Sequence, residues 1–485
     1  MIETAVSIGA IANRLRQLNI DAIVVGNPDV AVCGMTHESS AVQPGQVFAC
    51  FRGDRSDGHS YGAQAVSNGA TALLVDHELS DVGDVPQLIV NDTRLAVGPA
   101  AAAAWGDPSE RLTTIGITGT NGKTTTAQIV ASMLENAGVR TGIIGTLHGP
   151  RTTPEAPDLH AALASFESQG CRAVVMEVSS HALELHRVDG VFFDVVAFTN
   201  FGRDHLDLHG SPEAYFRAKS DLFTASFSDV AVVNVVDTNG RLLADTISDR
   251  DGADAMRLIR VTGADVTDVV VGSASHTYRW NGHDIVVGLG GHFNVANSLL
   301  ALNIIDQIDV DLVAAIAGLS TLAAVPGRFE IVADADECGF TVVVDYAHTP
   351  DGLEVLLSSA RQLTENRVIA VFGCAGMRDI EKRPIMGEVV GRLADRAIAT
   401  SDNPRGEDPE EIINDVIGGV AGQYRSRVTT QPDRRLAIRE AICLAQPGDV
   451  VVIAGKGHES TQDLGDRVID FDDRNIARQE LQDAS

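Results

Sequence analysis

The chain has 485 residues, with 37 Lys+Arg against 66 Asp+Glu and a formal charge of −29. At roughly 150 residues per domain this length predicts about three domains. A 44% hydrophobic and 21% charged composition is that of an ordinary globular protein, and the acidic balance excludes a basic nucleic-acid face or electrostatic docking on anionic lipid.

No stretch approaches the ~20 uninterrupted apolar residues of a membrane span. The alanine run 100–104 is short and bounded by Pro99 and Trp105-Gly106, and the start Met1-Ile2-Glu3-Thr4 lacks a signal-peptide layout. Cysteines 33, 50, 171, 338, 374 and 443 form no C-x-x-C pair. They read as reduced, mostly buried thiols, and the expectation is a cytoplasmic protein. Only four of the 37 basic residues are lysine, at 123, 219, 382 and 456. In a chain that otherwise writes arginine, those four positions need a reason of their own.

Along the chain, apolar strand-like runs alternate with helical stretches, the pattern of an α/β protein. The run 70–75 is an early example, and the turn Trp105-Gly106-Asp107-Pro108 marks a joint before the next strand, 112–117. That strand leads into Thr118-Gly119-Thr120-Asn121-Gly122-Lys123-Thr124-Thr125-Thr126, followed by a helix over 127–137. A buried strand, a Gly-rich turn and a helix N-terminus form an anion cradle. Lys123 would span the outer phosphates and a Thr hydroxyl would hold Mg²⁺, which predicts an ATP site. The spacing departs from G-x-x-x-x-G-K-[ST], because Gly119 is only three residues before Gly122.

The run 173–176 ends in Glu177, a carboxylate at the C-terminal edge of a strand, where doubly wound sheets bind ligands. Downstream, Asp204-His205-Leu206-Asp207-Leu208-His209 reads either as a metal site or as a polar loop with capping aspartates. Ser211-Pro212-Glu213 then opens a helix. Tyr215, Lys219 and Phe223 share a stripe of it at i, i+4 and i+8. A lysine centred on an aromatic stripe either snorkels to solvent or is desolvated, which lowers its pKa and makes it nucleophilic; the residues alone favour snorkelling. Further strand runs follow at 230–236, 341–345, 368–372 and 450–454, with a second joint at Val325-Pro326-Gly327. The resulting division is 1–108, 109–326 and 327–485.

Residues 118–125 resemble the ATP loop of the Mur ligase family, the amide-forming enzymes of peptidoglycan precursor synthesis, and the resemblance extends from about residue 36 to about 460. It implies three α/β domains: an N-terminal domain for a UDP-sugar, a central P-loop-type parallel sheet for ATP, and a C-terminal Rossmann-like domain for the incoming amino acid. Gly119, Thr120, Asn121, Gly122, Lys123, Thr124 and Thr125 would bind ATP, with Asn294, Arg328 and Asp345 at its adenine and ribose and His348 near its phosphates. Thr124, Glu177 and His205 would hold Mg²⁺. Lys219 would carry a carbamate serving the same metal, so that the expected catalytic set is Lys123, Lys219, Glu177, His205 and His348.

On the substrate side, Ser39, Asp54, Arg55, Ser56, Thr152, Thr153, Ser179 and Arg187 would hold UDP-muramoyl-dipeptide. The family's Asp-Ser-Arg reads Glu38-Ser39-Ser40 here, and Leu185 replaces a usual Gln. In the C-terminal domain, residues 373–379 resemble a Gly-Cys-Gly-Gly-x-Arg-Asp loop with Ala375 and Met377 as departures, and Lys382-Arg383-Pro384 completes it. Arg378, Asp402, Asn403, Pro404, Arg405, Gly455 and Glu459 would bind a diamino acid. A planar guanidinium at Arg405 grips a distal carboxylate bidentately, which points to diaminopimelate, while Glu459 takes an ammonium. The alternatives are a sister ligase for L-lysine, a folylpolyglutamate synthase or a non-enzymatic ATP switch. The expected partners are small molecules and the expected state is a monomer, with no nucleic acid and no membrane span.

Overall fold

The structure, a computed structural model, describes residues 5–53, 56–204 and 206–484. The chain builds three separate larger sheets, each covered on its apolar faces. The first joins β1 (Ala22–Val25), β2 (Met35–Thr36), β3 (Val47–Ala49), β4 (Ala72–Val75) and β5 (Gln87–Val90) in the order β1-β5-β4-β3-β2. Only β1 runs antiparallel to its neighbour.

The second sheet contains β6 (Thr113–Thr118), β7 (Thr141–Ile144), β8 (Ala173–Glu177), β9 (Val195–Phe198), β10 (Val230–Asn234) and β11 (Arg257–Val261). All are parallel, in the order β11-β10-β9-β6-β8-β7. Such strands are buried on both faces and therefore read as continuous apolar runs rather than alternating ones. The strand residues Ile115, Ile117, Val175 and Ala197 pack with Ile129, Met133, Leu300 and Ile304 on one side, and Val174, Met176, Val196 and Phe198 pack with Leu159 and Phe223 on the other. The helices on the first side are α1 (Lys123–Asn136) and a later one, Phe293–Ile305. A three-stranded antiparallel sheet covers residues 267–287.

Between these lie the short helix α2 (Ser180–Glu184) and α3 (Pro212–Ser220). Ser211 caps α3 by accepting the Ala214 N–H, as the Ser-Pro-Glu start predicts. Helix α3 ends at Ser220, so Phe223 lies beyond it, though it is still buried against Phe198. Lys219 is 1% exposed. That overturns the snorkelling reading: the aromatic stripe faces inward and the amine goes with it.

The third sheet orders its strands β12-β13-β17-β14-β15-β16. These are β12 (Glu330–Ile331), β13 (Thr341–Asp345), β14 (Val368–Phe372), β15 (Arg396–Ala399), β16 (Val428–Thr430) and β17 (Val450–Ala454), parallel except at the β12 edge. Its helices include α4 (Pro350–Gln362), α5 (Lys382–Leu393), α6 (Arg434–Leu444) and α7 (Asp473–Ala484). Three cysteines are buried, Cys33 and Cys338 are half-buried and Cys443 is exposed, all as free thiols. No helix among the described residues is long and apolar enough to cross a membrane.

Candidate functional site

In the central sheet the connection after β6 leaves toward β7, whereas the one after β9 leaves toward β10, and β6 and β9 are neighbours. The carboxyl ends of two such strands open a crevice, and the phosphate loop lies in it. Gly119 has φ +144, and a Cβ there would stand 1.9 Å from Thr199 Oγ1, so only glycine fits. The segment after β9 holds the loop: Thr120 N–H donates to Asn200 O at 2.9 Å, Asn121 N–H to Asn200 Oδ1 at 2.9 Å, and Asn200 Nδ2 to Asn121 O at 2.9 Å. Helix α1 starts directly at Lys123 rather than at 127, placing its positive end under the loop. Lys123 Nζ donates to Gly119 O at 2.9 Å and Thr120 O at 3.0 Å.

Glu177, 2% exposed at the end of β8, accepts Thr124 Oγ1–H at 2.9 Å and the Thr146 N–H at 2.8 Å. Two hard oxygen donors, Thr124 Oγ1 and the Glu177 carboxylate, thus stand side by side, and they suit a small divalent cation. The third expected ligand, His205, lies outside the described residues. Lys219 Nζ donates to Gly119 O at 2.8 Å and sits 4.5 Å from the centre of the Tyr215 ring. Burial, reinforced by the nearby Lys123 charge, pulls its amine well below the ordinary lysine value.

Asn297, which has no individual sequence signal, Asp204 and the expected nucleoside residues complete this region. A Cβ at Gly122 would meet Asn297 Oδ1 at 2.5 Å, so Asn297 lies directly against the loop. Asn297 also donates to the expected adenine residue, Asn294, whose own amide donates to Gly290 O at 2.7 Å. Asp204 opposes the downward shifts of Lys123, Lys219 and His348; its only sequence signal was its place in the Asp-His cluster. Arg328 donates to Thr124 Oγ1 at 3.2 Å and stacks on Tyr346 with its guanidinium carbon 4.3 Å from the ring centre, bridging the central and third sheets. Asp345 accepts the Phe329 and Ala347 N–H groups at 2.7 Å each, and burial raises its carboxyl pKa.

Toward the N-terminal sheet, Thr153 Oγ1 donates to Glu177 O at 2.8 Å and accepts the Ser179 N–H at 3.1 Å. Thr152 contacts Thr146 at 3.0 Å. Arg187 pairs with Glu155 at 2.8 Å, and Arg94, from the helix Thr93–Ala104, meets the same carboxylate at 2.8 Å. Burial would raise the Glu155 carboxyl, but Arg187 and Arg94 hold it below its usual value. Beside this knot is a cleft of about 490 Å³ lined by His37, Ile143, His148, Arg151 and Phe166, among others. Ser39 lies apart from that cleft's lining, with its hydroxyl on Gln64 at 3.3 Å, and Ser56 is exposed. Asp54 and Arg55 lie outside the described residues.

In the third sheet the loops after β13, β14, β15 and β17 leave the carboxyl edge together. They line a cleft of about 200 Å³ with His348, Arg378, Asp402, Asn403, Arg405 and Glu459 on its wall, and Asp204 and His181 reach into it from the central sheet. Pro404 and Gly455 belong to the same two strand-end loops. Glu459 Oε2 accepts from Asn403 Nδ2 and Lys456 Nζ, both at 2.9 Å; burial would raise its carboxyl, but Lys456 keeps it below the usual value. Arg405 donates to Gly376 O at 2.8 Å. His348 Nδ1 bonds the Tyr346 carbonyl at 2.8 Å, leaving Nε2 the other way round the ring, and desolvation with the Lys382 charge lowers its pKa. Close approach fixes the wall: a Cβ at Gly327 would stand 2.1 Å from Gly457 C and His458 N.

Behind the wall is a buried ion pair that the sequence did not signal. Arg434, 2% exposed, bonds Asp473 at 2.8 and 2.6 Å, and donates to Ala454 O at 3.0 Å and Ser401 O at 3.4 Å. It ties the ends of β15 and β17, and so both loops that carry the cleft, to the start of α7.

The family models match this layout. Residues 31–104 match the Mur ligase family catalytic domain, 117–305 the Mur ligase middle domain, and 327–457 the Mur ligase glutamate ligase domain. The UDP-N-acetylmuramoyl-L-alanyl-D-glutamate–2,6-diaminopimelate ligase of Syntrophomonas wolfei is 41% identical over 94% of this chain and 96% of its own. That of Geobacillus kaustophilus is 42% identical over 93% and 95%. A solved structure of a UDP-N-acetylmuramoyl-L-alanyl-D-glutamate–2,6-diaminopimelate ligase superposes with a TM-score of 0.67 at 32% identity, covering 99% of each chain. The chain belongs to the Mur ligase family, ATP-dependent ligases with a three-domain α/β fold.

Proposed function

We propose that this protein uses ATP to join diaminopimelate to the D-glutamate of UDP-N-acetylmuramoyl-L-alanyl-D-glutamate. The observation that carries this reading is that the phosphate loop and a cleft of mixed charge meet across one crevice, with Asp204 and His181 from the ATP side lining the amino-acid side. The names of relatives at 41–42% identity over nearly the whole chain support the same substrate. In the first step a glutamate carboxylate oxygen attacks the γ-phosphorus as the bond to the ADP oxygen breaks, giving an acyl phosphate. The diaminopimelate amine then attacks the acyl carbon, the C–O bond to phosphate breaks, and the amine's proton passes to solvent.

Lys123 and the N-terminus of α1 offset the charge that collects on the transferred phosphoryl oxygens. Asn294, Arg328 and Asp345 would seat the nucleoside, and His348 would stand near the phosphates. Thr124 and Glu177 would hold Mg²⁺, which when bound neutralises phosphate charge. Lys219 suits carbamylation because a depressed pKa supplies the neutral amine that adds to CO₂, with loss of one proton. Thr152, Thr153, Ser179 and Arg187 would hold the muramoyl-dipeptide. Arg405 and Arg378 would take carboxylates of diaminopimelate and Glu459 its distal ammonium, with Asp402 and Asn403 shaping the wall. The reading is completed by a monomer working in the cytoplasm on small molecules. Phosphate release that requires both UDP-muramoyl-dipeptide and diaminopimelate is the expected result. ATP turnover indifferent to both would sink the assignment, and equal activity with L-lysine would overturn the role given to Arg405.

A further inference from the structure

Lys382 is the first residue of α5, a helix of 12 residues, and it is 7% exposed. It lines the amino-acid cleft. Its neighbour Arg383 turns away and is pinned to Glu407 at 2.7 Å and Asp415 at 3.0 Å. Lys382 itself forms no hydrogen bond or ion pair among the described residues, although Lys456 in the same cleft wall has both. A nearly buried cation without a partner is costly unless something anionic meets it. The positive end of α5 adds to the demand for an anion at that place.

Two oxyanions pass this way, a phosphate and a carboxylate. Arg328 and Glu177 are charges felt at Lys123, whereas Lys382 is not; Lys382 acts instead on His348, in the third sheet's cleft, and on Cys374 in that sheet's core. Its place is therefore with the amino acid. Diaminopimelate carries a carboxylate beside each amine. Arg405 and Glu459 account for the distal pair; the near carboxylate, at the His348–Asp204 end, is left to Arg378 and Lys382, which line the same cleft.

We propose that Lys382 is a substrate-contacting residue whose ammonium holds the carboxylate on the same carbon as the attacking amine. This rests on the ligase reading above and adds a second consequence. A fixed positive charge beside an amine disfavours its ammonium form, so Lys382 also helps supply the neutral nucleophile. The balance of the bond-making step is unchanged: the N–C bond forms, the C–O bond to phosphate breaks, and the proton goes to solvent.

The test is steady-state kinetics of the full chain with ATP, UDP-muramoyl-dipeptide and diaminopimelate. Lys382→Met should raise the KM for diaminopimelate roughly 10- to 100-fold, the loss expected for one charged hydrogen bond, with the KM for ATP unchanged. The acid limb of kcat, which reports the bound amine, should move to higher pH, and Lys382→Arg should recover part of the loss. Lys382→Gln repeats the charge removal should the methionine variant not fold. An unchanged KM for diaminopimelate in a folded variant overturns the proposal, as does a rise confined to ATP. Wild-type protein that ignores diaminopimelate would instead defeat the ligase reading and leave the fault there.

Discussion

Two buried lysines, one on each side of the crevice, are handled in opposite ways. Lys219 beside the phosphate loop meets a carbonyl oxygen and an aromatic face. Lys456 in the amino-acid wall, 0% exposed, meets the Glu459 carboxylate at 2.9 Å and the Asn403 amide at 3.2 Å. The first environment desolvates an amine beside a second cation, Lys123, with Asp204 only partly opposing, and favours the neutral, reactive form. The second fixes an ammonium as a strut. Burial alone therefore does not say what a lysine is for; its partners decide between reagent and scaffold.

The largest expected effect lies on the scaffold side. Arg434→Met leaves Asp473 buried without its partner and should cost about 3–5 kcal/mol in denaturant unfolding. Arg434→Met combined with Asp473→Leu should regain most of that, because an apolar pair needs no desolvation. A single variant as stable as wild type would break the comparison. On the reagent side, Lys219→Ala should lower kcat roughly 10²- to 10³-fold, the loss typical of one preorganised charge-stabilising group, and bicarbonate should not rescue it. A fully active variant would end the carbamate assignment.

Smaller effects sharpen the contrast. Lys456→Met should loosen Glu459 and Asn403 and raise the KM for diaminopimelate about tenfold, with the KM for ATP unaffected. Buried histidines provide a third case. Burial lowers His160 and His276 to about 4. Between pH 6.5 and about 4 the unfolded chain takes up protons that these folded imidazoles refuse, so stability falls as pH falls through that window. Thermal melts of His276→Gln should show a shallower decline there than wild type, and an identical slope would count against the buried-neutral state.

The α/β class and the phosphate loop were legible because both rest on local chemistry: β-branched runs make buried parallel strands, and Gly-Lys-Thr after such a strand makes an anion cradle. Lys219 shows the limit. Its aromatic stripe was visible, but whether that stripe faced solvent depended on where α3 packed. Arg434 and Asp473 stand 39 positions apart in helices that each look ordinary, and only the third sheet's strand order brings them together behind the cleft. Asn297 was hidden for the same reason, being an unremarkable helix position until Gly122 is placed against it.

The four lysines have a practical side. Lys219, Lys382 and Lys456 are buried and Lys123 is half-buried, so none is exposed. A surface whose cations are all arginine gives lysine-specific proteases and amine-acylating reagents almost nothing to attack while the chain is folded. Mass gained from such a reagent, or cleavage at lysine, therefore reports opening of the crevice walls against very little background. With only four residues to assign, it also identifies which wall opened first.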